Sequence, residues 1–317
     1  MGTEQLSLSL ARSAIAIALL FAAGCATPAS DRLLSAASPP AIARSRSLQV
    51  PFFPQTRDHC GPAALAMALG WAGDDVTPDE IAPQSYTVGR SGSLQIDLLT
   101  AARRRGRPPY PVRELSALLR ELEAGHPVLV LQRLGVSLYP AWHFAVAIGY
   151  DLDRGTLRLH TGAYADHDTP LRVFERSWAG AGNWAIVVLP PDQLPVSADE
   201  SSVLQAIAGL ERAQRFEAAE RAYHAARGRW PESLAAELGI GNARYARGDL
   251  RGAESAFRFA TARHPSAGAA FNNLAHVLLE LGEMGAARDA VERAIALGGA
   301  GRASFERTLR EIDEASR

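Results

Sequence analysis

The sequence predicts an α+β domain followed by an all-helical repeat domain. From about Leu48 to Pro191, helix-forming stretches come first and strand-forming stretches come second, as is typical of α+β domains. The proline-rich segment 190–195 interrupts regular structure and marks a boundary. Beyond it, Ala, Arg, Glu and Leu dominate and no strand signal remains. We therefore expect a signal segment over 1–24, a flexible tether over 25–47, the α+β domain over 48–191 and the helical domain over 192–317.

Length and charge restrict the class of protein. A chain of 317 residues with 47% hydrophobic residues has enough apolar side chains for two cores. The formal net charge of -1 provides no overall field for nucleic acid or an anionic surface, so we predict neither as a partner. Arg103, Arg104, Arg105 and Arg107 form a local basic run after a predicted helix. Because cations suit a helix C-terminus, we interpret this run as a solvated helix end.

The first segment has the features of an export signal. An apolar, uncharged stretch between Ala14 and Ala23 follows Arg12 and is too short to span a bilayer comfortably. It leads into Ala22-Ala23-Gly24-Cys25, which resembles a bacterial lipobox with Ala22 in the usual place of leucine. This resemblance implies lipid attachment at Cys25 and an exported protein anchored in the cell envelope, on the periplasmic side of the outer membrane. A plain secretory signal is the alternative.

The pattern of apolar residues predicts the elements of the first domain. Predicted helices cover Gly61–Trp71, Ser93–Arg105 and Val112–Glu123. Predicted strands cover Val128–Leu131, His143–Tyr150, Thr156–Thr161 and Trp184–Leu189. The turn-forming residues between the second and third strands predict an antiparallel hairpin.

The second domain contains a repeat of 34 residues. Small alanines recur at Ala219, Ala253 and Ala287, and a bulky residue recurs at Tyr223, Phe257 and Val291. Small residues let paired helices approach while the bulky residue fills the gap between them, which is the tetratricopeptide pattern. A last helix over Ala303–Ala315 would cap the array. We expect these three repeats to pack against the first domain or against a partner, and to recruit a protein.

Cys60 is the candidate nucleophile. Gly61-Pro62 and an apolar, helix-favouring run follow it, so Cys60 is predicted to begin a helix. The free N–H groups and the dipole of a helix N-terminus stabilise a thiolate. If Cys25 carries lipid, Cys60 is the single thiol of the chain. The alternative is a small, buried structural cysteine.

His143 is the candidate base, because it opens an apolar strand that would hold its ring firmly. An imidazole close to the thiol would complete the activation of the cysteine. His160 and His167 remain as alternatives. His59 adjoins the thiol, but we expect it to point away along the entering chain.

Two motifs together resemble a known family. P-Q-x4-C-G-P-A-A-L around Cys60 and W-H-F-A-V-A-I-G-Y-D around His143 are similar to the peptidase domain that cleaves double-glycine leaders from bacteriocins, and to its papain-like relatives. The resemblance covers about 48–191 and implies a papain-like cysteine peptidase fold. By resemblance, Cys60 attacks the scissile carbonyl, His143 transfers the proton and the side chain of Gln55 donates an N–H to the oxyanion.

The third catalytic position departs from the family pattern. The family has an Asp-Pro pair on the strand after the histidine, where this sequence has Thr161-Gly162. Thr161 would orient His143 without supplying a negative charge. The other acceptors that the sequence leaves open are Asp166, Asp168 and Asn183.

No motif for a metal, nucleotide or other cofactor competes with this interpretation. We expect hydrolysis of a peptide or isopeptide bond, with no cofactor. Two alternatives remain: an acyl or amide transferase that uses the same site, and a catalytically weak binding scaffold. The exporter and ATPase of the family's transporters are not recognisable in this sequence, so bacteriocin maturation does not follow.

Overall fold

The computed structural model describes residues 28–35, 42–55, 59–86, 92–136 and 139–317. The predicted signal peptide and Cys25 lie outside the described residues. The elements of the first part are α1 (Ala29–Ser35), β1 (Ser45–Ser47), α2 (Cys60–Trp71), α3 (Pro78–Ser85), α4 (Gln95–Arg104), β2 (Pro109–Val112), α5 (Leu115–Glu123), β3 (Val128–Val136), β4 (Tyr139–Asp151), β5 (Thr156–Thr161), β6 (Tyr164–Pro170), α6 (Leu171–Ala179) and β7 (Ala185–Val188). The helices of the second part are α7 (Glu200–Arg212), α8 (Phe216–Arg229), α9 (Leu234–Ala246), α10 (Leu250–Arg263), α11 (Gly268–Glu280), α12 (Met284–Leu297) and α13 (Arg302–Ala315).

The strands form one antiparallel sheet in the order β2-β7-β3-β4-β5-β6. β1 pairs with the end of β4, where Ser47 lies opposite Gly149. β3 pairs along its whole length with the residues of β4 from Tyr139 to Ala147, whereas β7 and β5 reach only part of this hairpin. The distal part of this hairpin therefore extends past its neighbouring strands as a two-stranded ribbon, and His143 lies on it.

Both faces of the sheet are buried. Alternate residues of a strand point to opposite faces, and the two core clusters follow this rule. One face packs on α2 through Leu129, Phe144 and Val146. The other face packs on α5 and α6 through side chains such as Val130 and Ala147. The helix that begins with Cys60 is buried on all sides over 60–69, which explains why its sequence is almost uniformly apolar.

The repeat domain packs against the first domain. Val203 and Ile207 of α7 and Tyr223 of α8 belong to the same core cluster as Tyr110 and Leu118 of the first domain. A separate core lies between α10 and α13. The expectation that a short array packs against the first domain agrees with this shared core.

The predicted helices and strands are present with shifted ends, and the β4–β5 hairpin is antiparallel as expected. Part of the predicted tether is wrong, because Ala29–Ser35 forms a helix and Ser45–Ser47 forms a strand. The N–H group of Ala29 donates to the Glu175 carboxylate at 2.7 Å, across 146 positions. Such a long-range partner leaves no local signal in a sequence rich in Ala, Ser and Pro. Within the described residues, no helix has the length and apolar character needed to cross a membrane.

Candidate active site

Cys60 is the first residue of α2 and is only 8% exposed. It forms no disulfide. His59 at the N-cap makes no side-chain capping bond, so the first N–H groups of the helix face the entering chain without a side-chain cap. A Cβ on Gly61 would lie 2.4 Å from Ser93 Oγ. Glycine is therefore required beside Cys60, because the chain before α4 passes close to it.

His143 is held by a hydrogen bond to the neighbouring strand. Its Nε2 lies 2.8 Å from Thr161 Oγ1. Burial lowers the pKa of His143 below its usual value, because a buried imidazolium loses its hydration. The ring is thus neutral at neutral pH. When the proton is on Nε2, this nitrogen donates to Thr161 and Nδ1 keeps the lone pair of a general base.

Gln55 is fixed by two hydrogen bonds to the turn after β5. Its backbone N–H donates to the Gly162 carbonyl, and its side-chain Oε1 accepts from the Gly162 N–H, both at 2.9 Å. The remaining group, Gln55 Nε2, is buried and has no hydrogen-bond partner among the described residues. Burial of an unpaired donor costs free energy, so such a group is expected where a ligand accepts the hydrogen bond.

The backbone at Gly162 explains the departure from Asp-Pro. Its φ is +58°, in the left-handed region that proline cannot adopt. Proline also lacks the N–H that Gly162 donates to Gln55. Thr161 therefore orients His143, and Gly162 orients Gln55.

The other three candidate acceptors have different surroundings. Asp168 forms a two-point ion pair with Arg158 at 2.9 and 3.1 Å, and this hydrogen bonding lowers the pKa of Asp168. The N–H of Asp166 donates to His160 Nδ1 at 3.2 Å. Asn183 lies in a turn with a φ of +51°. Of the four residues, Thr161 is the one that contacts His143.

The alternative histidines have other surroundings. Both ring nitrogens of His160 face backbone groups, since Nε2 lies 3.2 Å from the Val50 carbonyl. His160 is therefore held as a structural residue. His167 is exposed and lies near Tyr164. The ring of His59 stacks on Tyr86, with 5.3 Å between ring centres.

The structure brings two of the predicted site residues, His143 and Gln55, to the same turn. Consecutive residues of one turn hold His143 and Gln55, and Cys60 packs in the core cluster that contains Phe144, the residue after His143.

Sequence reasoning missed an exposed aromatic surface beside His143. Tyr139 and Trp142 on the ribbon are 80% and 56% exposed, and Tyr164 is 68% exposed. Leu134 on β3 adds a further exposed apolar side chain. Large apolar residues at the tip of a hairpin were the available signal, because a tip has no core to bury them. The described part of the chain contains no cluster of His, Cys, Asp and Glu that could hold a metal ion.

Comparison with known proteins supports the two-part organisation. Residues 47–186 match the Peptidase_C39 like family, and residues 209–250 and 238–305 match a tetratricopeptide repeat family. No match was found among the curated proteins.

Three solved structures illustrate the likeness. A C39-like peptidase from Bacillus anthracis is 21% identical, with 46% of this chain and 98% of that chain covered and a TM-score of 0.40. The peptidase domain of Streptococcus ComA, a bifunctional ABC transporter, is 19% identical, with 45% and 98% covered and a TM-score of 0.36. The Yersinia enterocolitica chaperone SycD, bound to a peptide of the translocator YopD, is 16% identical, with 37% and 94% covered and a TM-score of 0.34.

The chain therefore combines a Peptidase_C39-like domain with a run of tetratricopeptide repeats.

Proposed function

We propose that this protein is a cysteine peptidase of the cell envelope, which hydrolyses a peptide or isopeptide bond with Cys60 as nucleophile and His143 as general base. The observation that carries the proposal is the unpaired, buried Nε2 of Gln55, held beside the His143–Thr161 pair. Leaving such a donor unpaired costs about 1–3 kcal/mol. An oxyanion that forms in the transition state would accept this N–H and recover that cost.

The reaction follows from these positions. His143 Nδ1 takes the proton of the Cys60 thiol, and the sulfur attacks the scissile carbonyl carbon. The carbonyl oxygen becomes an anion that accepts hydrogen bonds from Gln55 Nε2 and from the Cys60 backbone N–H. The tetrahedral species then expels the amine, which takes the proton from His143. Water, deprotonated by His143, cleaves the thioester, and the carboxylic acid leaves as the thiol is restored.

Substrate binding completes the site in this proposal. Hydrogen bonds between a nucleophile and its base often tighten only in the substrate complex. The exposed Tyr139 and Trp142 lie next to His143 and offer an apolar surface for a substrate side chain. Trp142→Ala should therefore raise KM with little change in kcat.

A peptide vinyl sulfone probe tests the reaction. The purified protein is labelled and the modified residue is mapped by mass spectrometry. We expect labelling of Cys60, none at this position in Cys60→Ala, and slow labelling in His143→Ala. His167→Ala is the matched control, because that histidine is exposed and lies outside the site. Equal labelling rates in His143→Ala and the parent protein would refute the proposal.

A second candidate is a binding scaffold with a weak or inactive site. The contact of His143 with Thr161, in place of the family's carboxylate, favours it. Reaction of Cys60 with iodoacetamide near neutral pH no faster than that of free cysteine would support the scaffold. A transferase on the same site is separated by intact-mass analysis, because added amines would then become joined to the product.

We also propose that Cys25 carries the lipid anchor. α1 begins at Ala29, only four positions later, and packs on Glu175. Four extended residues span about 14 Å. A lipid on Cys25 would therefore keep the folded body close to the bilayer. Incorporation of labelled fatty acid that is lost in Cys25→Ala tests this, and incorporation that persists in the variant would contradict it.

The repeats would recruit the protein substrate or a partner, as tetratricopeptide arrays present extended binding surfaces. A cavity of about 240 Å³ is lined by Asn242, Tyr245, Asn273 and His276. Tyr245→Ala should leave the reaction with a small electrophile unchanged and lower kcat/KM for a protein substrate. An equal loss on a short peptide would contradict recruitment.

A further inference from the structure

A cavity of about 460 Å³ lies where the two domains meet. The turn after α4 forms one wall through Arg105, Gly106 and Arg107, and the start of α8 forms the other. The Cβ that Gly106 lacks would lie 3.3 Å from the Ala218 Cβ, so the two walls approach closely. The basic run interpreted above as a solvated helix end therefore faces the repeat domain.

Positive charge dominates the lining. Five arginines line the cavity, and Glu217 is the single carboxylate residue among its lining side chains. Arg105 pairs with Asp74, Arg221 with Asp192 and Arg247 with Glu220. Arg107 and Arg215 have no carboxylate partner in the described part of the chain, and Arg215 Nε donates to the Arg104 carbonyl.

Two buried guanidinium nitrogens near the cavity also lack an acceptor. Arg107 Nε is buried and has no hydrogen-bond partner in the described ranges. Nearby on α4, Arg103 Nε is also buried and has no hydrogen-bond partner among the described residues. Burial and the neighbouring positive charge of Arg212 lower the pKa of Arg103. A buried guanidinium N–H without an acceptor is costly, because it has lost water and gained no partner.

The start of α8 adds donors to the same cavity. α8 has 14 residues, and Arg215 at its N-cap makes no side-chain capping bond. The backbone N–H groups of Phe216, Glu217 and Ala218 have no backbone acceptor among the described residues, and these three residues line the cavity. Free N–H groups and the positive end of a helix dipole favour an anion.

The residue before α8 differs in charge from the residues at the equivalent positions of the other two repeats. Positions 215, 249 and 283 are equivalent at a spacing of 34, and they hold Arg215, Asp249 and Glu283. Asp249 accepts the Gly252 N–H at 2.9 Å and caps α10. Arginine at the equivalent place in α8 adds a positive charge where the helix dipole is already positive, which is unfavourable unless an anion binds there.

We propose that this cavity binds the phosphate group of a small phosphorylated molecule. The planar forks of Arg107 and Arg215 can each donate two N–H groups to phosphate oxygens, and the α8 N-terminus can donate further N–H groups. The cavity volume falls within the range of small-molecule sites and exceeds what a single phosphate fills. Because the two walls belong to different domains, the ligand would stabilise the junction between them.

Calorimetric titration of the purified full-length protein with inorganic pyrophosphate tests the proposal, with chloride at matched ionic strength as the reference. We expect saturable binding and a Tm that rises with pyrophosphate concentration. Arg107→Ala and Arg215→Ala should each weaken binding about tenfold or more, whereas Arg310→Ala, an exposed arginine on α13, should not. No saturable binding in the millimolar range, or the same affinity in the Arg107 and Arg215 variants, would overturn the proposal.

Arg215→Asp separates loss of the ligand from loss of the fold. This change restores the acidic N-cap that α10 has at Asp249, so the ligand-free variant should unfold at the same or a higher temperature than the parent. It should nevertheless lose pyrophosphate binding. A variant that is stable and still binds pyrophosphate with the parent's affinity would show that Arg215 and the α8 N-terminus do not form the site.

Discussion

Thr161→Asp is the substitution that most directly tests how this site works. Thr161 holds His143 Nε2 at 2.8 Å but supplies no charge, and burial lowers the pKa of the ring. The imidazolium that the proposed mechanism requires therefore has no negative counterpart on this strand. An aspartate at the same position would place a carboxylate beside Nε2 and would favour the protonated ring.

The size of the effect follows from the separation of the charges. Two opposite charges about 4 Å apart attract by about 4 kcal/mol at an effective dielectric constant near 20. Part of this is offset by the cost of burying the carboxylate, and neighbouring opposite charges typically shift a pKa by about 1–3 units. We therefore expect the pKa of His143 to rise by that amount. The Cys60 thiolate would gain a charged partner at the same time.

Two measurements test this expectation. NMR titration of the histidine ring protons reports the pKa of His143 directly, and the rate of Cys60 alkylation by iodoacetamide reports thiolate formation. At about pH 6, alkylation should accelerate about tenfold or more in Thr161→Asp. Thr161→Val is the matched control, since it removes the hydroxyl without adding charge, and it should slow alkylation.

One result would refute the reasoning. If Thr161→Asp raises the pKa of His143 while the alkylation rate of Cys60 stays at the parent level, the imidazole and the thiol are not coupled. Cys60 and His143 would then not form a catalytic pair, and the scaffold function would be favoured.

Three further predictions follow from the same contacts. Gln55→Ala should lower kcat on a peptide substrate by about 10²–10³ with a small change in KM, as expected for loss of an oxyanion donor; a change confined to KM would contradict that role. Burial lowers the pKa of His143 and of His224. Below about pH 6.5 the unfolded chain therefore binds protons that the folded chain does not, and the free energy of unfolding should fall as the pH drops below this value. Urea unfolding at pH 7.5 and 5.5 measures this, and greater stability at the lower pH would contradict the sign. Glu121→Ala should destabilise the protein by about 2–5 kcal/mol in urea unfolding, because the buried carboxylate accepts from His126 and from a linker N–H, both at 2.7 Å; a loss under 1 kcal/mol would show that water replaces it.

Local chemistry in the sequence was sufficient to predict the fold class of both parts and to nominate the candidate site residues. The 34-residue period, the apolar run after Cys60 and the strand that follows His143 each depend on neighbouring residues, so they can be read along the chain. The boundaries were less accurate. β4 begins at Tyr139 rather than at His143, because the pairing of its first residues with β3 compensates for their exposure.

Only the tertiary structure could choose among the distant partners. Thr161, Asp166 and Asp168 lie within eight positions of one another, and the sequence offered no reason to prefer one. The sheet register places Thr161 against His143, while Arg158 takes Asp168. Likewise, Arg105 and Arg107, which the sequence predicted to be solvated, line a cavity because α8 packs against the turn after α4. Contacts between residues far apart in the chain depend on how the elements pack, and a hydrogen-bond partner a hundred positions away leaves no periodic signal in the sequence.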